Sequence, residues 1–328
     1  MTTKEKVLEL FEKNKGIYFS GEELAKQLNV SRASVWKAVT GLRKDGYAID
    51  AVTNKGYCLS EKGDILSAQG IMKYLPSEYQ NMDIRVERET ESTNAAAREY
   101  AEQGMQEGFL LVAGEQTKGR GRYGRTFFSP QGTGVYFSLL LRPKGVLAQQ
   151  GTSLTAMAAV AMCEAVKELS GKPTGIKWVN DIYVNGKKVC GILTEASMGL
   201  ESGMLDYVIL GVGVNVYPPE TGFPESLVDK AGIVFDEMQD DMKNRLIALF
   251  LENFGAYYLK QSEKSYIEKY KEYSLVTGKR IQVLSEYGKR EAYVLGIDDD
   301  CRLLVEYENG ERATLSCGEI SIAFTKER

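Results

Sequence analysis

Histidine is absent from this 328-residue chain. That excludes Ser-His-Asp and Cys-His catalysis and every zinc site with a histidine ligand. Chemistry must rest on Lys, Arg, Asp and Glu and on backbone N–H groups, with or without a bound Mg²⁺. The five cysteines, Cys58, Cys163, Cys190, Cys301 and Cys317, contain no C-x-x-C pair, which fits free thiols in a reducing cytoplasm. No apolar run is long enough to span a bilayer, and Met1-Thr2-Thr3-Lys4-Glu5 starts no signal-like apolar stretch. The expectation is a cytoplasmic protein without membrane contact. A strong excess of one charge is lacking too, the net value being −4. The balance is uneven, however. Residues 1–60 carry +3 and the remainder −7, so a mildly basic head on an acidic body points to nucleic-acid contact by the head alone.

What the chain does have is a glycine- and arginine-rich stretch, Gly114 to Ser129, with Arg120, Arg122 and Arg125 set among Gly119, Gly121 and Gly124. It satisfies G-x-G-x-x-G after a strand-like run, Phe109 to Ala113. Ser129-Pro130-Gln131-Gly132 follows, which is turn chemistry and opens no helix, so a dinucleotide fingerprint is excluded. A long mobile loop carrying guanidinium groups remains. Such a loop suits an anionic ligand, because glycine lets backbone approach and arginine pairs with phosphate or carboxylate. A solvated basic loop is the alternative.

The head reads as three helices and a hairpin. Val7, Leu8 and Phe11 share a face over residues 4–14. Ser20 and Glu23 form a capping box ahead of Glu22–Leu28. Ser31 caps a third helix running to about Asp45, with Gly46 at its end. Val35, Ala38, Val39 and Leu42 face inward on it, leaving Arg32, Ser34, Trp36, Lys37, Thr40 and Arg43 outside. Strands Tyr47–Val52 and Tyr57–Leu59 flank Thr53-Asn54-Lys55-Gly56. This order resembles a winged helix-turn-helix, with Ser31, Arg32, Ser34, Lys37, Thr40, Arg43 and Lys55 as candidate DNA contacts. A three-helix protein-binding module is the alternative.

Glu61-Lys62-Gly63-Asp64 reads as a polar connector, dividing a head of residues 1–63 from a body of 64–273. In the body, expected helices near Ala68–Leu75, Ala95–Glu102, Leu154–Leu169, Asp240–Leu259 and Glu263–Tyr270 alternate with strands. The strands are Ile84–Glu89, Phe109–Ala113, Val135–Leu141, Val189–Ala196 and Tyr207–Val216. Asn185-Gly186 is a hairpin turn signal after Ile182-Tyr183-Val184. Hairpins dominate, so the body is an α+β layer with a mostly antiparallel sheet. Residues 274–328 alternate inward and outward over Ile281–Ser285, Glu291–Ile297, Leu303–Tyr307 and Arg312–Leu315. Turns at Glu286-Tyr287-Gly288, Asp298-Asp299-Asp300 and Asn309-Gly310 make this a small SH3-like barrel.

Six motifs in order then carry a family resemblance. They are Glu91-Ser92-Thr93-Asn94, Gly119 to Arg125, Lys177-Trp178-Val179-Asn180-Asp181, Lys188 to Leu193, Gly211 to Val216 and Gly318-Glu319-Ile320-Ser321. Behind a winged helix, the whole chain resembles the bifunctional biotin protein ligases that also repress the biotin operon. That family's catalytic fold is related to class II aminoacyl-tRNA synthetases. The resemblance implies two steps: biotin and ATP give biotinyl-5′-AMP, and the biotin then passes to a lysine of a carboxylase's biotin carrier domain. It also implies operator binding by a homodimer with the adenylate bound.

The family reading assigns Lys188, Arg120 and Arg122 to catalysis. Ser92, Thr93, Asn94, Gln116 and Gly121 join them around biotin and its adenylate. Lys177, Asn180, Asn215 and Phe127 fall to the nucleotide, and Asp181 to Mg²⁺. Read from the residues alone, Ser92-Thr93-Asn94 could be a plain helix cap, Lys187-Lys188 edge-strand charges, and Asn180, Asp181 and Asn215 turn residues. The chain departs from the family at Val179, often Pro, at Phe127, often Trp, and at Tyr123, where an arginine is common and dimerisation is affected.

Overall fold

The computed structural model describes residues 1–143, 151–199, 204–260, 263–285 and 288–321. They form two compact units, Met1–Asn81 with Glu237–Leu249, and Met82–Asp236 with Phe250–Arg328.

The first unit begins with α1 (Thr3–Lys13), α2 (Gly21–Leu28) and α3 (Arg32–Lys44), followed by the hairpin β1 (Ile49–Val52) and β2 (Gly56–Leu59). Each helix starts at a Ser or Thr cap. Ser20 and Glu23 close the expected box, and Thr2 with Glu5 closes another that the sequence reading passed over. Val7, Phe11, Leu24, Val35, Val39 and Leu42 form the core. The Glu61–Asp64 connector is not free: Asp64 is buried, and its carboxylate accepts the backbone N–H of Lys243 at 2.9 Å. Beyond it, α4 is only Ala68–Met72, shorter than expected.

The second unit holds β3 (Ile84–Glu87), α5 (Thr93–Glu102), β4 (Leu110–Ala113), β5 (Gly134–Leu141), α6 (Gly151–Ser170), β6 (Thr174–Lys177), β7 (Asp181–Val184), β8 (Lys187–Met198) and β9 (Leu205–Asn215). The sheet order is β3-β4-β5-β9-β8-β7-β6. β3 and β4 are parallel and every other pair is antiparallel, so the sheet is mixed. All eight residues of β5 are buried, as a strand covered on both faces requires. Thr194 meets Thr155 of α6 at 2.7 Å, whereas the next residue, Glu195, meets Asn94 of α5. Successive strand residues point to opposite faces, so α5 and α6 lie on opposite sides of the sheet. Asn185 and Gly186 both take positive φ, the backbone of the expected two-residue hairpin.

Helix α7 (Met242–Leu259) has residues in both units, and α8 is Tyr266–Glu272. The last described residues form an antiparallel sheet ordered β13-β12-β11-β10-β14, from β10 (Arg280–Ser285), β11 (Gly288–Ile297), β12 (Leu303–Tyr307), β13 (Arg312–Leu315) and β14 (Glu319–Ser321). Glu286 and Tyr287, of the expected first turn, lie outside the described residues.

Candidate active site

A cavity of about 1340 Å³ opens in the second unit, between the sheet face under α5 and the β10–β14 edge of the last sheet. Its floor is flat because β9 supplies glycines. Gly211 pairs with Ser138 and Leu193, and Gly213 with Tyr136 and Gly191. A Cβ on Gly211 would come within 2.0 Å of Asn94 Oδ1, and one on Gly213 within 2.5 Å of the Phe127 ring. Those two approaches explain the glycines: one row admits the Asn94 amide, the other the aromatic ring.

At the closed end lies the start of α5. Ser92 is its cap residue by conformation, yet its side chain makes no capping bond. Gln116 does the capping instead, its Oε1 accepting the Thr93 N–H at 2.8 Å. The Ser92 hydroxyl has no hydrogen-bond partner among the described residues and faces the cavity. Asn94 is engaged by protein on every side: Nδ2 donates to Glu195 Oε2 at 2.7 Å and to Leu193 O at 3.2 Å, and Oδ1 accepts from Ser138 at 2.7 Å. Ser138, Glu195 and Arg98 had not been singled out from the sequence. Ser138 was nevertheless visible as the one polar side chain in the apolar strand.

The glycine-arginine stretch does not behave as a long loop. It folds back on itself: Gly121 N–H donates to Arg125 O at 2.7 Å and Phe127 N–H to Gly119 O at 2.9 Å, around a short turn at Arg122–Gly124. Arg122 reaches Asn180 Oδ1 at 3.3 Å, and Arg125 pairs with Glu319 of β14 at 2.6 Å. Arg120 makes no hydrogen bond or ion pair among the described residues and lines the cavity.

Lys188 enters through a bulge. The ladder runs Asp181↔Gly191 and Ile182↔Cys190, then jumps to Tyr183↔Lys188, so Val189 is the extra residue. In a regular strand Lys188 would share the face of the buried Cys190. The extra residue moves it to the face of Asp181 and Gly191, which is what bulges commonly do beside functional sites. Its ammonium sits 2.7 Å from Asp181 Oδ1 and 6.0 Å from the centre of the Phe127 ring. Lys187 also lines the cavity, but its ammonium donates to Val228 O at 2.9 Å. Lys177 also lines the cavity. Burial lowers its pKa, and Lys188 and Arg125 add to that, against the pull of Asp181 and Glu319. A bound anion there would favour the charged form of Lys177.

Asn180 donates to Ile192 O at 2.8 Å on the cavity wall. Asn215 is not among the lining residues; its amide holds Gly232 O at 3.1 Å at the end of β9. Among the described residues no group of three or more Cys, Asp or Glu could hold a metal by itself. Asp181 is the carboxylate beside Lys188. That donor set suits a Mg²⁺ held mainly by phosphate oxygens and water, with one protein carboxylate.

In the first unit, Ser31 caps α3 through the Ser34 N–H at 3.1 Å. Arg32, Trp36 and Lys37 are exposed and Thr40 is half-buried. Arg43 spends its guanidinium on Ile49 O, with bonds of 2.8 and 2.5 Å that tie α3 to β1. Lys55 lies over the Tyr18 ring at the hairpin tip, 5.7 Å from its centre.

Three family models match the chain. They are an HTH domain over residues 3–58, the biotin/lipoate A/B protein ligase family over 86–215, and the biotin protein ligase C-terminal domain over 276–322. The bifunctional ligase/repressor BirA of Bacillus subtilis is 36% identical over 313 residues, 94% of this chain and 95% of that protein. The Escherichia coli protein of the same description is 28% identical, with 94% of each chain covered. Among solved structures, biotin protein ligase from Aquifex aeolicus in complex with biotin and ATP matches with a TM-score of 0.60 and 31% identity, covering 73% of this chain and 97% of that one. With a relative this similar aligned over nearly all of both chains, the protein belongs to the family of bifunctional ligase/repressors described as BirA.

Proposed function

We propose that this protein is an ATP-dependent biotin protein ligase that also represses transcription when its adenylate is bound. The observation that carries the reading is the cavity itself, which joins a buried, uncharged polar end at Ser92, Thr93 and Gln116 to a cationic end at Lys188, Arg120, Arg122 and Lys177. A neutral ureido ring needs the first, and a carboxylate meeting a triphosphate needs the second.

In the first step the biotin carboxylate oxygen attacks the α-phosphorus of ATP, the bond to the bridging oxygen breaks, and pyrophosphate leaves. Two anions must approach, and fixed cations act best where charge develops in the transition state. Lys188, placed by its bulge, is the residue for the carboxylate and α-phosphate. Arg120 and Arg122 flank it, with Gly121 letting backbone approach. Phe127, on its glycine floor, offers a face to the adenine, and Lys177 and Asn180 line the nucleotide end. Asn215 acts on that end through the segment it ties down. Mg²⁺ bound there would neutralise the phosphate oxygens, and Asp181 is the carboxylate to hold it. Closing the glycine-arginine turn over the adenylate would exclude water until a carrier-domain lysine attacks.

The division into a DNA-binding head (1–63), a catalytic body (64–273) of class II synthetase-like type and an SH3-like C-terminal domain (274–328) belongs to this reading. So do a cytoplasmic location and a homodimer that presents two α3 helices to a palindromic operator. Ser31, Arg32, Ser34, Lys37, Thr40 and Lys55 are its contact set. Arg43 serves by holding the hairpin against α3. If occupancy of the cavity favours the dimer, linkage raises operator affinity.

The deciding experiment is mass spectrometry of the protein incubated with ATP, Mg²⁺ and biotin. Biotinyl-AMP is expected. Adenylation of lipoate but not biotin would replace the reading with a lipoate ligase, and no adenylate with either acid would leave a sensor.

A further inference from the structure

The chain has two tryptophans, and their surroundings are opposite. Trp178 is 4% exposed, and its indole N–H donates to Cys301 O at 3.0 Å. Trp36, on α3, is 59% exposed, and its indole N–H has no hydrogen-bond partner among the described residues. A ring of this size is seldom left so bare, because packing it removes roughly 150–250 Å² from water. The core of the head does not use it: Val35, Ala38, Val39 and Leu42 fill the inner side of α3. Ala33, three residues earlier and also exposed, lies next to it on the helix surface, so the two make one small apolar patch.

The charge around that patch has one sign. Helix α3 carries Arg32, Lys37, Arg43 and Lys44 and no acidic residue. By contrast α1 mixes Lys4, Lys6 and Lys13 with Glu5, Glu9 and Glu12, and α2 sets Glu22 and Glu23 against Lys26. The bare ring therefore stands on the one helix of the three that is purely cationic, a face that fits a polyanion better than a surface of mixed charge. Trp36 is the fifth residue of α3, about 6 Å along the axis from its capped start. That is the half of a recognition helix that reaches base edges. There an indole finds one apolar partner, because of the four bases only thymine shows a methyl group in the major groove.

We infer that Trp36 is a specificity-determining residue that reads a thymine methyl in the major groove of operator DNA. Lys37 beside it, also exposed, holds phosphate, which positions the helix without reading sequence. This rests on the DNA-binding reading of the head given above. Taking one methyl group out of water against the ring is worth about fourfold in affinity.

The test uses the full chain with biotin, ATP and Mg²⁺ present. A randomised duplex library selected on the parent protein yields its preferred duplex. Each thymine of that duplex is then replaced in turn by deoxyuridine, which lacks only the methyl group, and binding is followed by fluorescence anisotropy. One replacement in each half-site should weaken binding by the parent about fourfold. Trp36→Ala should bind the thymine duplex less tightly and be indifferent to that replacement. Lys37→Ala should weaken every duplex alike and lower the salt dependence. Biotinyl-AMP formation and melting temperature should not change in either variant, since neither side chain supports the core. A parent indifferent to every replacement overturns the inference, and so does a Trp36→Ala protein with undiminished affinity or with the parent's sensitivity. Should Trp36→Ala fail to fold, Trp36→Gln, which offers no ring to a methyl group, is measured in its place. Failure of the parent to select any duplex would instead bring down the DNA-binding reading itself.

Discussion

Two clusters of charge, one in each unit, differ in how they balance. In the first unit Glu12, Lys15, Lys73 and Asp241 form a closed, neutral set. Lys73 bonds Glu12 at 2.9 Å and also pairs with Asp241, and Lys15 lies 3.3 Å from both carboxylates. Tyr74 and Asn244 add hydrogen bonds to Asp241, at 2.6 and 2.8 Å. Every charge there has its counter-charge in the fold. Around the cavity the described lining residues include eight Lys or Arg and only three Asp or Glu. A closed cluster holds a structure together; an open one waits for an anion from outside. Burial alone does not separate them, since Lys177 is also half-buried.

Removing residues 1–63 tests the comparison most severely. It takes Glu12 and Lys15 away and leaves Lys73 and Asp241 facing each other without them. Operator binding should be abolished in a mobility-shift assay, and operator binding that survived would show the head to be misassigned. Next in size is the open cluster. Lys188→Ala should cost about 10²- to 10³-fold in adenylate formation, the usual loss for one transition-state donor. Lys187→Ala, whose ammonium only touches Val228 O, should retain most of the activity. Equal activities in pyrophosphate exchange would refute the distinction between the neighbours.

Smaller in scale is Asp241→Ala in the closed cluster. Breaking a buried pair from one side costs about 3 kcal/mol, the low end of the usual range because Glu12 still serves both lysines. Urea denaturation would read it, with no change expected in KM for biotin or ATP. The smallest effect is a pH dependence. Burial pushes the Asp241 carboxyl up, but hydrogen bonds from Lys73, Tyr74 and Asn244 outweigh it and hold its pKa below the ordinary value. A carboxyl depressed by folding stabilises above its unfolded pKa, about 3.9, and loses that contribution as pH falls through the folded value. Melting curves taken between pH 6 and 3, on the order of the carboxylate range, should show a steeper acid loss in the parent than in Asp241→Ala.

Much of this was legible beforehand because local rules carry it. The capping box at Ser20, the helix cap at Ser31, the Asn185-Gly186 turn and the largely apolar β5 are short-range or periodic signals. They placed nearly every element within a few residues. Ser92, Gln116, Arg122, Lys177 and Lys188, assigned by family resemblance, all line one cavity. The capping role of Gln116 was not legible: no local rule says that a side chain twenty-three residues away caps α5 in place of Ser92. The turn within the glycine-arginine stretch was not legible, because composition does not show that its backbone pairs with itself.

The amino-acid order alone determined the absence of histidine chemistry, the helices and hairpins, and the clustering of cations in a glycine-rich segment. These follow from side-chain type and spacing. Tertiary structure decided which lysine serves the cavity. A strand's alternation would send Lys188 under the sheet with Cys190, and only pairing with β7, where Val189 is left over, turns it to the face of Gly191 and Asp181. Register between strands is a property of both partners at once, so no reading of one segment contains it.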